Sequence, residues 1–387
     1  MKAPEDVAPR PPRSGRRPSR VLAAAALTLA TCIGTAGHVS AAEPGPECGD
    51  VVEGHVVLTA DLVCPDSETG LTLAPGATLD LAGHRVVGGG SNPNDGRGIG
   101  VVVPGQGSST VRGGTVEGWQ FGIGPSPSRP VGARGVATLD DLEVRNNYAG
   151  IWSFGLDRVT PEMRVTDSRI AANRMGVLGT TARLIVVTSS HVTDNETGVE
   201  SYGRVVVVGS TLARNGNGLV CGSACEVTGS ILADNRSAMW VRGGPGVVRD
   251  STFVRNEGGI TATWVLTSPL EVVANVLQDN GTAVMLVKAR ANVADNTFVG
   301  NDVALESRPW SDDYFAGSVT GNELRGNGDG ILSVLPGTGV ERNTAVDNAR
   351  WGIHAPGAVD LGGNRAWGNG NEPQCVGVVC TTSGSAS

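Results

Sequence analysis

"VTGNELRGNGDGILS", residues 319–333, sets Asn322 and Asn327 five positions apart and follows them with Gly330 and an aliphatic pair. The second asparagine of this stretch returns along the chain in "EVRNNYAGIW", "IAANRMGVL", "VTDNETGVE", "LARNGNGLV", "LADNRSAMW", "FVRNEGGIT", "LQDNGTAVM", "FVGNDVALE" and "AVDNARWGI". Aligned on it are Asn146, Asn173, Asn195, Asn215, Asn235, Asn256, Asn280, Asn301, Asn327, Asn348 and Asn369, with Gly88 and Gly118 in the same slot earlier. Five residues upstream runs a second series: Ser168, Ser190, Ser210, Ser230 and Ser251, then Asn275, Asn296, Asn322, Asn343 and Asn364. Successive repeats are 20 to 30 residues apart.

Within each period lie short alternating apolar stretches such as "ARLIVVTS" and "GRVVVVGS", and a Gly or Ala before an aliphatic residue, as in Gly150-Ile151, Gly198-Val199, Gly259-Ile260 and Ala304-Leu305. Such alternation marks strands, and helical periodicity is missing. A strand-bearing period of this length predicts a solenoid. Leucine-rich repeats share the length but need fixed leucine positions that are absent. What fits is a coil of about three short strands stacked on the next at about 4.8 Å. Asparagine tolerates left-handed geometry at the bend, and its amide can bond to the amides of the coils on either side. The regular amides are then seams of the core.

This pattern resembles the right-handed parallel β-helix proteins of the pectin-lyase-like superfamily over roughly residues 50–370. "LTLAPGATLDLAGHRVVGGG" and "GNRAWGNGNEPQCVGVVC" are similar to the first and last coils of many exported bacterial members. The fold expected is all-β, a right-handed parallel β-helix of about 12–13 coils. Residues 43–97 form its N-terminal cap and first coils, 98–370 its repeats, and 371–387 a disulfide loop and tail. In such folds ligands lie along one sheet face between turn loops.

The N-terminus carries Arg10, Arg13, Arg16, Arg17 and Arg20 before the apolar "VLAAAALTLATCIG" and the small-residue "HVSAAE", so residues 1–42 read as a signal peptide. The apolar run is too short and alanine-rich for a comfortable membrane span. Thr31 before Cys32 is a poor lipoprotein signal, and Arg16-Arg17 lacks the flanks of the twin-arginine route. The expected location is secreted or extracellular, with cell-envelope attachment and the export route left open. Without those 42 residues, 24 basic face 36 acidic side chains, a net charge of −12. That balance argues against nucleic acid as a partner. The partner expected is a polysaccharide or another cell-envelope polymer, with no transmembrane span in the mature chain.

Six cysteines remain, as the local pairs Cys48 with Cys64, Cys221 with Cys225 and Cys375 with Cys380. In an exported chain these read as disulfides, and Cys221 and Cys225 have no further His or Cys at ligand spacing to make a metal site. No cofactor is evident, though calcium is left open.

With Ile151, Val199, Met239, Leu305 and Ile353 inward, alternation turns outward Trp152, Leu178, Glu200, Val220, Trp240, Thr261, Met285, Glu306, Leu332 and His354. A neighbouring column holds Phe154, Tyr202, Arg242, Val287 and Arg308. Only fifteen residues are aromatic, so Trp152, Phe154, Tyr202 and Trp240 on one face, beside Glu200 and Arg242, outline a sugar-binding surface. The bland alternative is a face covered by loops or a partner. Glu306, Arg308, Asp312, Asp313 and His354 are the candidate reactive groups. Glu200 and Glu306, five coils and about 24 Å apart, cannot act as a glycosidase pair. The Asn-Thr-Asp and Gly-His-Gly elements of polygalacturonases and the Asp-Pro-His-Asp motif of alginate epimerases are absent, and no calcium cluster of the pectate-lyase kind can be assembled. The reading is therefore an exported β-helix that binds an extracellular or cell-envelope polysaccharide or protein along one sheet face, with a polysaccharide lyase or glycoside hydrolase of the pectin-lyase-like superfamily as its alternative. "NET", "NRS" and "NGT" at Asn195, Asn235 and Asn280 match glycosylation acceptors, but their asparagines belong to the buried ladder.

Overall fold

The computed structural model describes residues 45–125, 135–154, 162–180, 184–266, 268–308 and 317–382. They form a right-handed parallel β-helix. Every strand pairing is parallel, and the first sheet has fifteen strands, from Val51–Val52 to Cys375–Val376. More coils stack than the asparagine count implies, because strands Val51–Val52, Thr69–Leu73 and Arg97–Val103 precede the first asparagine rung. A representative coil runs through Leu184–Thr188, His191–Thr193 and Thr197–Ser201, each strand pairing with the residues 20 positions later, as in Leu184 with Arg204, His191 with Thr211 and Thr197 with Asn217. Two sharp bends separate the three strands. Short β-branched runs suit this geometry, because each strand need fill only one side of a narrow core.

The core is a stack of small aliphatics. Ile123, Ile151, Val177, Val199, Leu219, Met239, Ile260, Val284, Leu305, Ile331 and Ile353 pair in one inward file, each fully buried. The repeated glycine before this file has a steric cause: a Cβ on Gly198 would lie 2.6 Å from Gly218 O and 3.2 Å from the Asn215 side chain.

The asparagines form the expected ladder, with one change of member and one of reason. The Nδ2 of Asn301 donates to Asn327 Oδ1 at 2.9 Å, and Asn327 donates to Asn348 at 3.0 Å. Each Oδ1 also accepts a backbone N–H from the preceding coil, as from Asn301 N at 2.9 Å, while Nδ2 donates a second bond to a core-strand carbonyl, Leu277 O. The upstream rungs work likewise: Ser190 N donates to Ser210 Oγ, and Asn296 Nδ2 to Asn322 Oδ1. Buried polar groups are thereby satisfied within a dry stack.

The first ladder residue is Asn147, not Asn146: Asn147 is fully buried and donates to Asn173 Oδ1 at 3.1 Å, whereas Asn146 has φ of 55°. Left-handed geometry falls throughout on the residue before the ladder position, including Asp194, Arg214, Asp234, Arg255, Asp279 and Asp347. The ladder asparagine is selected for its amide, not its φ. Gly118, with φ of 78°, likewise occupies the bend, and Trp119 takes the rung, its N–H donating to Asn147 Oδ1 at 3.0 Å. At the far end the ladder closes on Gln374 Oε1, which accepts from Asn369 Nδ2 at 2.8 Å.

All three disulfides join the expected pairs, with Cα separations of 5.8, 6.1 and 6.1 Å for Cys48–Cys64, Cys221–Cys225 and Cys375–Cys380. The glycosylation-like asparagines Asn195, Asn235 and Asn280 are buried in the ladder. Among the described residues no helix is long and apolar enough to cross a membrane, and no group of three or more His, Cys, Asp or Glu is disposed to hold a metal ion. The segment 1–42 lies outside the described residues.

Candidate functional site

Strand pairing fixes the outward columns of the fifteen-stranded sheet. Trp152, Leu178, Glu200, Val220, Trp240, Thr261, Met285 and Glu306 follow one another in register. Arg242, Thr263, Val287 and Arg308 form the adjoining column. The expected column breaks after Glu306, which pairs with Ser333 across a register shift, so Leu332 is the extra residue there.

Four expected residues meet at mid-face. Arg242 sits with its guanidinium carbon 3.6 Å from the Trp240 ring centroid, and Trp240 Nε1 donates to Thr263 Oγ1 of the next coil at 3.1 Å. The Arg242 Nε is buried against the ring without a hydrogen-bond partner. Two coils earlier stands Tyr202, 51 % exposed. The glycine between makes its position feasible, because a Cβ on Gly222 would lie 2.7 Å from Tyr202 Cδ1. Glu200 pushes the Tyr202 phenol above its usual pKa, with Arg242 pulling the other way.

Beside Trp240 opens a groove of about 590 Å³, lined by Glu196, Asn217, Arg236, Ser237, Trp240, Glu257 and Thr261 among others. Glu196, Arg236 and Glu257 each follow a ladder asparagine, on a turn row that also contains Gly216. Gly216 leaves a gap in that row. The sequence offered a signal for these residues, since the position after the ladder asparagine is as regular as the ladder itself; only the coil stacking shows that the row rims a concavity.

At the N-terminal end of the same face the Phe121 and Trp152 rings stack 4.0 Å apart, with Phe154 stacked 5.5 Å beyond. They belong to an apolar cluster with Ile99, Val102, Tyr148, Met175 and Leu178, and Trp152 is only 8 % exposed. Trp152 and Phe154 are thus brought together, away from Trp240.

Toward the other end, Arg308 grips Glu306 through two bonds, Nε to Oε1 at 2.6 Å and Nη2 to Oε2 at 3.0 Å. His354 stands in a separate place: its Nδ1 lies 3.0 Å from Leu332 O and its ring 4.8 Å from that of Trp351. A carbonyl only accepts, so Nδ1 carries the proton and Nε2 is the free nitrogen. Asp329, which the sequence did not single out, is a buried carboxylate accepting from Arg350 Nε at 2.9 Å and from the Trp351 N–H at 3.2 Å. Those donors meet its charge within the fold. Asp312 and Asp313 lie outside the described residues.

No protein-family model matches the chain, and no curated protein matches it in sequence. Among solved structures it is similar to the A-module of the Azotobacter vinelandii mannuronan C-5 epimerase AlgE6, at 16 % identity over 87 % of this chain and 91 % of that one, with a TM-score of 0.48. It is also similar to the catalytic domain of a GH87 alpha-1,3-glucanase in complex with nigerose, at 12 % identity over 87 % of this chain and 62 % of that one, with a TM-score of 0.33. Likeness this distant does not reach the residues of a site.

Proposed function

We propose that the protein binds an extracellular or cell-envelope polysaccharide along the outward face of the fifteen-stranded sheet, without cutting it. The observation that carries this reading is the groove of about 590 Å³ walled by Trp240 and rimmed by Glu196, Arg236 and Glu257. An indole fixed at its nitrogen by Thr263 and backed by Arg242 is a flat platform of the kind that sugar rings stack on. Asn217, Ser237 and Thr261 supply hydrogen-bonding groups on the groove wall. Three disulfides suit a chain that works in an oxidising compartment, in keeping with secretion.

The carboxylate spacing argues for binding over hydrolysis. Glu196 and Glu257 are three coils apart, about 14 Å at the strand spacing, beyond the roughly 5 to 9.5 Å that glycoside hydrolysis needs. Glu306 is engaged by Arg308 through two hydrogen bonds, Nε to Oε1 and Nη2 to Oε2.

The test is retention on a panel of immobilised polysaccharides, followed by assays for new reducing ends and for the ultraviolet absorbance of lyase products. Binding without product, weakened about tenfold in Trp240→Ala and weakened without any change in product for Glu306→Ala, is the expected result. Product release by the wild-type chain that disappears in Glu306→Ala would establish the enzyme instead.

A further inference from the structure

The charges around the Trp240 groove alternate so evenly that they leave no surplus of either sign. Along the turn row Arg174, Glu196, Gly216, Arg236 and Glu257 follow one another coil by coil, and Arg174 Nε donates to Glu196 at 3.1 Å. Arg236 stands between the gap at Gly216 and Glu257. On the strand side Arg242 is matched by Glu200, both of them acting on Tyr202. Each cation of the site therefore has a carboxylate within one or two coils, about 5 to 10 Å. The bend row immediately outside repeats the arrangement: Arg214 is bound to Asp194 at 2.7 Å and Arg255 to Asp234 at 2.8 Å, with Asp279 following.

A groove for a polyanion needs cations in excess, because the ligand repeats its negative charge at every residue. This site has none in excess, and residues 43–387 carry 24 basic against 36 acidic side chains. That wider field repels a polyanion over a Debye length of about 8 Å at physiological salt. A polycation would gain from the wider field but would meet Arg236 at the groove itself. Carboxylates, amides and hydroxyls arrayed beside an indole are instead suited to a chain of hydroxyl groups, each accepting and donating without net charge.

Resting on the polysaccharide reading, we infer that the Trp240 groove selects an uncharged, hydroxyl-rich polysaccharide, with Glu196, Arg236 and Glu257 as hydroxyl-binding rim residues rather than as a charge trap.

The experiment compares the full chain, freed of residues 1–42, on three classes of immobilised polymer: uncharged glucans, mannans and galactans; a polyuronate; and a cationic polyglucosamine. Each is measured at low and at high salt. At least one uncharged polymer is expected to retain the protein about tenfold more strongly than either charged class, with little change on adding salt, and Trp240→Ala should weaken that retention about tenfold. The double variant Glu196→Gln, Glu257→Gln leaves Arg174 and Arg236 in surplus and should acquire salt-sensitive polyuronate binding while its retention of the uncharged ligand weakens. Stronger retention of the wild-type chain by the polyuronate or the polyglucosamine overturns the selectivity while leaving polysaccharide binding intact. Retention by none of the three classes overturns both.

Discussion

Asn301 and Asn327 are 26 residues apart in the chain, yet their side-chain amides bond directly, Nδ2 to Oδ1 at 2.9 Å. The same Asn327 oxygen also accepts the backbone N–H of Asn301, so one side chain ties two coils at two points.

Removing such a rung should be costly. Asn301→Ala strands the N–H of Asn280 and one of its two Nδ2 hydrogens, the other still donating to Phe253 O, and takes the Asn301 Nδ2 donor from Leu277 O. At about 1–3 kcal/mol for each buried orphan, a loss of about 3 kcal/mol or more is expected in urea unfolding followed by circular dichroism. Asn146→Gly is the contrast: at its φ of 55° glycine is at least as comfortable, so the midpoint should stay within about 0.5 kcal/mol of wild type.

Trp119 plugs the start of the ladder. It is fully buried, its Nε1 donates to Val86 O at 3.2 Å, and a Cβ on Gly88 or Gly100 would lie 2.8 Å from its ring. Trp119→Ala should cost about 3–5 kcal/mol by opening a cavity, and Gly100→Ala should also destabilise by forcing the ring aside. Thermal unfolding of both variants checks this.

Reduction should loosen the N-terminal end most. The Cys48–Cys64 bond spans 16 residues, whereas Cys221–Cys225 and Cys375–Cys380 span 4 and 5. Loop-closure entropy gives the first about 3 kcal/mol and the others less. Cys48→Ala with Cys64→Ala should lower the melting temperature more than the equivalent pair at Cys221 and Cys225, and hydrogen exchange should quicken in Thr69–Leu73.

Acid should act on the bend row. Hydrogen bonds from Arg214 and Arg255 hold the carboxyl groups of Asp194 and Asp234 below their ordinary value of 3.8. A depressed carboxyl contributes its stability above the unfolded-state pKa and loses it as pH falls through the folded-state value. These pairs should therefore add nothing to the pH dependence between about pH 5 and 8, and their contribution should fade below about pH 4. Being exposed, each contributes modestly, about 1 kcal/mol or less. Asp234→Asn should lower the urea midpoint at pH 7 and leave it unchanged near pH 2.

The solenoid was legible because it is written in a one-dimensional code. Each coil buries the same few side chains against the coils on either side, so Asn195, Asn215 and Asn235 recur at a nearly constant interval and Val199, Leu219 and Met239 recur with them. Strand alternation then fixed which side chains of a coil face outward, as far as Glu306. The slip beyond it came from a bulge at Leu332, which conforms to the pairing of neighbouring strands rather than to any local pattern. The misplacement of Asn146 has a similar cause: two adjacent asparagines satisfy the same motif, and only burial against Asn173 distinguishes the one that bonds from the one that bends.

The sequence by itself determined the fold class, the disulfide pairs and, as far as Glu306, the columns of the outward face, because each depends on interval and alternation alone. Tertiary structure decided the site. Glu196, Arg236 and Glu257 sit 61 residues apart from first to last. Their convergence on Trp240 depends on how far each side chain reaches across the bend and on the space left by Gly216. Those distances arise only when the coils are stacked.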